Sequence, residues 1–211
     1  KDAYIHLGGD EVDLQCWEKN AQVKQFMQTH GLTPLTLQAT WMAGLHSYVQ
    51  GSLSKSSIFW ENAFNASSML GQDAVFQVWK DAAALQRIAS KKYRALYSAG
   101  WYISSNPGWT KFWQFYENDP FAQSGPAPWS KKEMEAVIGG GVSKWGCSGF
   151  CPFPSHAAKI SQELWPMGSA VAERLWSVDA PLNGSTTTKQ RLQAHSTRLK
   201  RRGIIISPNF N

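Results

Sequence analysis

The sequence is poor in cysteine, in charge and in long apolar runs. Only 17% of its 211 residues are charged. No eighteen consecutive apolar residues occur, so no stretch reads as a membrane-crossing helix. The three cysteines, Cys16, Cys147 and Cys151, do not suit a zinc site: the last two stand as C-x3-C, and no second pair completes a ligand set. Their odd number reads, if oxidised, as one pair and one orphan. No G-x-G-x-x-G follows the first apolar run, which weakens a dinucleotide-binding reading. Glycine (17) and proline (10) are dispersed, so a collagenous or low-complexity chain is excluded. There is no initiator methionine and no signal-like segment. The chain opens directly in Ala3-Tyr4-Ile5-His6-Leu7, as expected of a piece of a longer protein.

Acidic residues are missing from one segment. Between Lys189 and Arg202 lie six basic residues (Lys189, Arg191, Arg198, Lys200, Arg201 and Arg202) and no acid, and these account for the whole net charge of +6. With no nucleic-acid motif beside it, the segment reads as a solvated helix face, and no nucleic-acid partner is expected. What is abundant is tryptophan. Eleven indoles in a chain that is 43% hydrophobic exclude a disordered segment and suit sites for flat apolar faces, such as those of sugars. Two glycosylation sequons, Asn65-Ala66-Ser67 and Asn183-Gly184-Ser185, are compatible with a secretory route.

Short apolar runs alternate with helical patterns. Strands are predicted at Tyr4–Leu7, Ser57–Trp60, Val75–Trp79, Arg94–Ser98 and from Ala136 to Ile138, the last broken by Gly139-Gly140-Gly141 and ending near Trp145. Helices are predicted at Asn20–His30, from Thr33-Pro34 onward, at Ala82–Lys92, Ser161–Trp176 and Thr186–Arg202, with Pro166 kinking or delaying the fourth. Trp109, Phe112, Trp113 and Tyr116 have helical spacing and read as a core-packed face. Alternating βα units argue for an α/β protein with a parallel sheet and helices outside. Five units suit an open doubly wound sheet or the back part of a barrel.

In such folds the working residues lie at the carboxyl ends of strands. Those ends carry Asp10-Glu11, Trp60-Glu61, Trp79, Trp101-Tyr102 and Trp145. Neighbours on a regular strand point to opposite faces, so Asp10 and Glu11 can share a site only if the chain leaves strand geometry there. Gly8-Gly9 supplies that freedom. Two close acids in an aromatic hollow, separated by like charge and burial into one proton donor and one anion, are what glycosidic cleavage asks for. The alternative is that the pair merely caps the following helix. His6, just before it, reads as a structural core residue.

From Tyr4 to Val12 (Tyr-Ile-His-Leu-Gly-Gly-Asp-Glu-Val), followed by Cys16-Trp17-Glu18, the sequence resembles glycoside hydrolase family 20, the β-N-acetylhexosaminidases, and looks closest to the eukaryotic lysosomal or secreted branch. The segments Phe59-Trp60-Glu61, Val78-Trp79-Lys80-Asp81, Ser98-Ala99-Gly100-Trp101-Tyr102, Trp145-Gly146 and Ala172-Glu173-Arg174-Leu175-Trp176-Ser177 follow in the family's order. The resemblance implies a (β/α)8 TIM barrel, here incomplete: residues 1–211 would be the C-terminal portion of one catalytic domain, strands four to eight with their helices, the first three βα units missing. It implies hydrolysis of terminal N-acetylhexosamine residues by a retaining, substrate-assisted route. Glu11 would be the general acid and then base, and Asp10 would orient the acetamido group. Trp60, Trp79 and Trp145 would wall the acetamido pocket and sugar face, and Tyr102 would donate a hydrogen bond to the acetamido oxygen. N-acetylhexosamine-terminated glycans are the implied partners. No cofactor, metal or membrane span is implied, and a homodimer of the full-length protein is left open. The implied location is lysosomal or extracellular.

The sequence departs from the family pattern at several places. Ile103 and Ser104 stand where the family has Leu and Asp, Cys147 where it has Glu after Trp-Gly, and Gly141 where it has Glu in Gly-Gly-Glu. Cys16 matches a family cysteine whose partner lies upstream, so it is expected to be unpaired, and Cys147 with Cys151 to form a local pair. The chain alone is expected to be inactive. Two other readings remain: a non-catalytic, degenerate member that binds glycans or a partner, and a diguanylate cyclase, which shares Gly-Gly-Asp-Glu but follows it with Phe and lacks the tryptophan series.

Overall fold

The computed structural model describes residues 2–80, 82–103, 112–122, 127–145, 156–177 and 185–208. By contacts the chain forms two compact units. The first comprises Lys1–Tyr97 with Ser124–Ile138, the second Ser98–Gln123 with Gly139–Asn211.

The first unit is built on parallel strands β1 (Tyr4–His6), β2 (Ser56–Trp60), β3 (Val75–Val78) and β4 (Arg94–Tyr97). The register pairs Ile5 with Ser57, Phe59 with Phe76 and Phe76 with Ala95. With β5 (Val137–Gly140) the sheet order is sequential, β1-β2-β3-β4-β5. The three junctions between the parallel strands β1 to β4 are crossovers, so helices separate these strands: α1 (Leu14–Lys19), α2 (Ala21–His30) and α3 (Pro34–Leu53) after β1, a 3-10 helix η1 (Glu61–Met69) after β2, and α4 (Ala82–Ser90) after β3. The parallel α/β architecture expected from the sequence is the one observed.

Local chemistry sets the helix boundaries. Asn20 accepts from the Gln22 and Val23 amides and so starts α2. Thr33 and Thr36 form a reciprocal capping box, and Pro34 takes the first turn of α3, where its missing N–H costs nothing. The core lies between the sheet and α3 and α4: Met42, Phe59, Val75, Phe76, Val78, Leu85, Ile88 and Ala95 have no exposed surface. Burying each large side chain contributes about 1.5–3 kcal/mol. Buried His46 on α3 meets the Ser57 hydroxyl at 3.1 Å and Asp73 at 3.3 Å, which ties the helix to β2 and to the turn before β3.

In the second unit α5 (Trp113–Glu117), α7 (His156–Leu164), α8 (Met167–Trp176) and α9 (Thr186–Arg201) surround Ile103, Phe112, Tyr116, Met167, Ala170 and Leu192. Phe112 and Tyr116 are therefore core residues, as their spacing suggested. Pro166 does more than kink a helix: it separates α7 from α8, because proline offers no amide to the preceding turn. Two further corrections concern residues 131–140. Helix α6 (Lys131–Ala136), started by a Ser130–Glu133 capping box, occupies residues that carried no helix expectation. Strand β5 runs through Gly139 and Gly140 rather than being broken by them. Among the described residues no helix is long and apolar enough to cross a membrane.

Candidate active site

Because β1 to β4 are parallel, their carboxyl ends lie on one side of the sheet, and the first three supply the candidate residues. Beyond β1 the ladder continues for two rungs: the Leu7 amide donates to Ile58 O (2.8 Å) and the Trp60 amide to Gly8 O (2.9 Å). The chain then leaves strand geometry. Gly8 (φ 76°) and Gly9 (φ 91°) lie in the left-handed region, and so does Glu11 (φ 49°), where a side chain costs about 1–2 kcal/mol. The expected break after Leu7 is present. Asp10 is half-buried and Glu11 is exposed.

Trp60 ends β2 and Trp79 directly follows β3. Both are partly buried, and their rings meet edge-on at 6.3 Å between centroids. The His6 ring lies 4.7 Å from that of Trp60. His6 is not the buried core residue expected; it is exposed, and its Nδ1 accepts the Gly8 amide at 3.1 Å, so a neutral ring carries its proton on Nε2. Partial desolvation pushes its pKa down, against the Asp10 charge and a Gln77 hydrogen bond, which both push it up.

Three polar residues beyond the six given a role complete this cluster, one of them the strand-end Glu61. Glu61 Oε2 accepts the Trp79 amide at 2.9 Å and the Lys80 amide at 3.1 Å. Asn62 Oδ1 accepts the Trp79 indole N–H at 2.8 Å. The Lys80 ammonium lies 5.1 Å from the centroid of the Trp79 ring and 3.7 Å from Glu11 Oε1. Glu61 and Lys80 each directly follow a strand-end tryptophan, a position that marks both although neither was given a role. Asn62 gave no such signal.

Of the six expected residues, the first unit thus carries Asp10, Glu11, Trp60 and Trp79. Tyr102 and Trp145 belong to the second. There Tyr102 bridges in parallel to Ser143: the Ile103 amide donates to Ser143 O (2.8 Å) and the Ser143 amide to Trp101 O (3.2 Å). Tyr102 is half-buried, while Trp145, two residues past the bridge, is 54% exposed. Trp101 is a packed residue, 1% exposed, with its indole N–H on Phe115 O. A groove of about 760 Å³ in the second unit is lined by Leu164, Trp165, Trp176, Leu192 and His195 among others, and none of the six expected residues is among those lining it. Cys16 is a free, exposed thiol. Asp81, Ser104, Gly146, Cys147, Cys151 and the sequon at Asn183 lie outside the described residues, whereas Asn65 is exposed on η1.

Residues 1–179 match glycosyl hydrolase family 20, catalytic domain. The chain belongs to this family. It is 32% identical over 222 residues to beta-hexosaminidase subunit beta of Homo sapiens, an alignment covering 99% of this chain and 36% of that protein. It is also 32% identical over 217 residues to beta-hexosaminidase subunit alpha of Mus musculus, covering 98% of this chain and 38% of that one. Among solved structures, the chitobiase of Flavobacterium johnsoniae superposes with a TM-score of 0.77 at 26% identity, over 96% of this chain and 30% of its own. The exo beta-N-acetylglucosaminidase of Vibrio harveyi in complex with N-acetylglucosamine gives 0.79 at 19% identity, over 99% and 33%, which is a likeness of fold alone. The chain spans little more than a third of the length of these curated relatives.

Proposed function

We propose that this chain is the C-terminal portion of a (β/α)8 catalytic domain, strands four to eight with their helices, from a β-N-acetylhexosaminidase. The protein would remove terminal non-reducing GlcNAc or GalNAc from glycoconjugates in the lysosome or outside the cell. Family membership and the hexosaminidase relatives support the reaction class. One observation supports the site: acids after β1, an indole ending β2 and another after β3 stand at the same end of one parallel sheet, with Lys80 between Glu11 and the Trp79 ring.

The chemistry is substrate-assisted. The acetamido oxygen attacks its own anomeric carbon as the glycosidic C–O bond breaks, and Glu11 gives its proton to the leaving oxygen. Asp10 accepts the acetamido N–H and stabilises the oxazolinium cation. Water then attacks the anomeric carbon, Glu11 takes its proton, the ring reopens, and configuration is retained. By the family likeness Trp60, Trp79 and Trp145 would wall the N-acetyl group and sugar face, and Tyr102 would donate to the acetamido oxygen, which orients its remaining lone pair toward the anomeric carbon.

The test uses the full protein. Glu11→Gln should lower kcat by about 10²–10⁴-fold for glycosides with poor leaving groups and far less for activated aryl glycosides. Asp10→Asn should disable the oxazolinium step, and an added small nucleophile such as azide should restore little. Strong rescue by azide points instead to an enzyme carboxylate as nucleophile. The second reading, a glycan-binding member without turnover, is favoured by Ser104, Cys147 and Gly141, which stand where the family has acids. Under it, the parent protein has no activity for Glu11→Gln to remove.

A further inference from the structure

The end of β2 grips the loop after β3 in a way the reaction scheme does not use. Glu61 opens η1, and one of its oxygens accepts two successive amides, those of Trp79 and Lys80. Asn62, next in the chain, accepts the Trp79 ring N–H. Three hydrogen bonds therefore join two adjacent residues of one strand end to two adjacent residues of the next. Two of the three go to an ionised acceptor, the stronger kind. They fix the main chain and the ring plane of Trp79 together. They also fix the origin of the Lys80 side chain, whose ammonium faces Glu11 at 3.7 Å. That ion pair is itself well exposed, 60% on Lys80 and 63% on Glu11, and contributes little alone. The backbone from which Lys80 springs is held by the Glu61 bonds.

We propose that Glu61 is a positioning residue: by holding the Trp79 and Lys80 main chain it sets the indole wall and the cation opposite Glu11. This rests on the hydrolase reading above. A wall fixed in this way discriminates by size. An N-propionyl group is one methylene longer than N-acetyl, and a rigid apolar pocket resists such a change by about 10–200-fold. Releasing the grip should cost activity and relax that preference together.

The experiment compares Glu61→Ala and Glu61→Gln with the parent in the full protein, using aryl N-acetyl- and N-propionyl-glucosaminides, and follows hydrogen exchange at the Trp79 and Lys80 amides. Glu61→Ala should lower kcat/KM for the N-acetyl substrate by about tenfold to a hundredfold. The N-propionyl substrate should lose less, so that the preference shrinks by about threefold or more. Glu61→Gln keeps an acceptor oxygen and should stay within about threefold of the parent on both substrates. In Glu61→Ala the two amides should exchange faster, while those of Phe59 and Phe76 keep their protection. Equal losses on both substrates, or unchanged exchange at Trp79 and Lys80, overturn the proposal. If the parent cleaves neither substrate, the hydrolase reading falls, and exchange alone then decides the grip: faster exchange at the two amides sustains it, and unchanged exchange ends it.

Discussion

At position 9 the backbone has φ 91°, and a Cβ built there would lie 3.2 Å from the Ala63 Cβ and 3.6 Å from Phe59. At position 8, with φ 76°, a Cβ would meet nothing within 4 Å. The two glycines therefore differ in why they are needed. Gly8→Ala should cost about 1–2 kcal/mol from backbone strain alone. Gly9→Ala adds overpacking against η1 and β2, and should cost about 2–4 kcal/mol. Urea unfolding midpoints of the two variants check the order. Equal costs would mean that the close approach to Ala63 yields freely. Gly9 also sits one residue before Asp10, so its variant should lose activity beyond what its stability explains.

In the second unit a single carboxylate joins three helices. Glu173 on α8 accepts the Tyr116 hydroxyl of α5 at 2.7 Å and the Arg191 guanidinium of α9 at 2.7 Å. Burial pushes the Tyr116 phenol far above its ordinary value, the Glu173 bond and charge push it further, and Arg191 opposes them. A pKa raised in the folded state means stability that is complete below the unfolded value of about 10 and lost as pH rises beyond it. Tyr116→Phe should thus cost about 1 kcal/mol near neutral pH, yet decline less steeply than the parent above about pH 10. Urea midpoints on both sides of that pH make the comparison, and parallel decline would show that another group loses the proton. At this scale sequence patterns were unevenly informative. Val75–Val78 is nearly all buried, and β3 appears as an apolar run broken only by the half-buried Gln77. By contrast α1, α6 and η1 are too short or too irregular to repeat a 3.6-residue pattern. The Asp13 and Ser130 caps were the signals available for α1 and α6. The acids, the glycines and the strand-end indoles could be read because each closes a run; the Glu61 grip could not, because it depends on how two strand ends approach.

At the scale of the whole molecule, an incomplete barrel would leave the sheet open. The register joins β1 to β2 on one side, and the chain matches 36% of the length of its human relative. A sheet with open edges exposes core and unpaired backbone. The 211 residues assayed by themselves should release no sugar from a chromogenic N-acetylglucosaminide, whereas a protein that supplies the preceding βα units should. Turnover by the 211 residues alone would overturn the incomplete-barrel reading. The charge has a simpler account at this scale. The basic residues of α9 are spread over its exposed turns, apart from Arg191, which Glu173 engages.

The bond from the Trp60 amide to the Gly8 carbonyl is the last rung noted before the chain turns away. Three residues further on hangs Glu11, the acid assigned to proton delivery. Were β1 to part from β2, breaking that rung would let donor and indole drift out of alignment. Its lifetime thus caps how long the two stay matched, and any agent that clips the outer strand to a further neighbour would lengthen it.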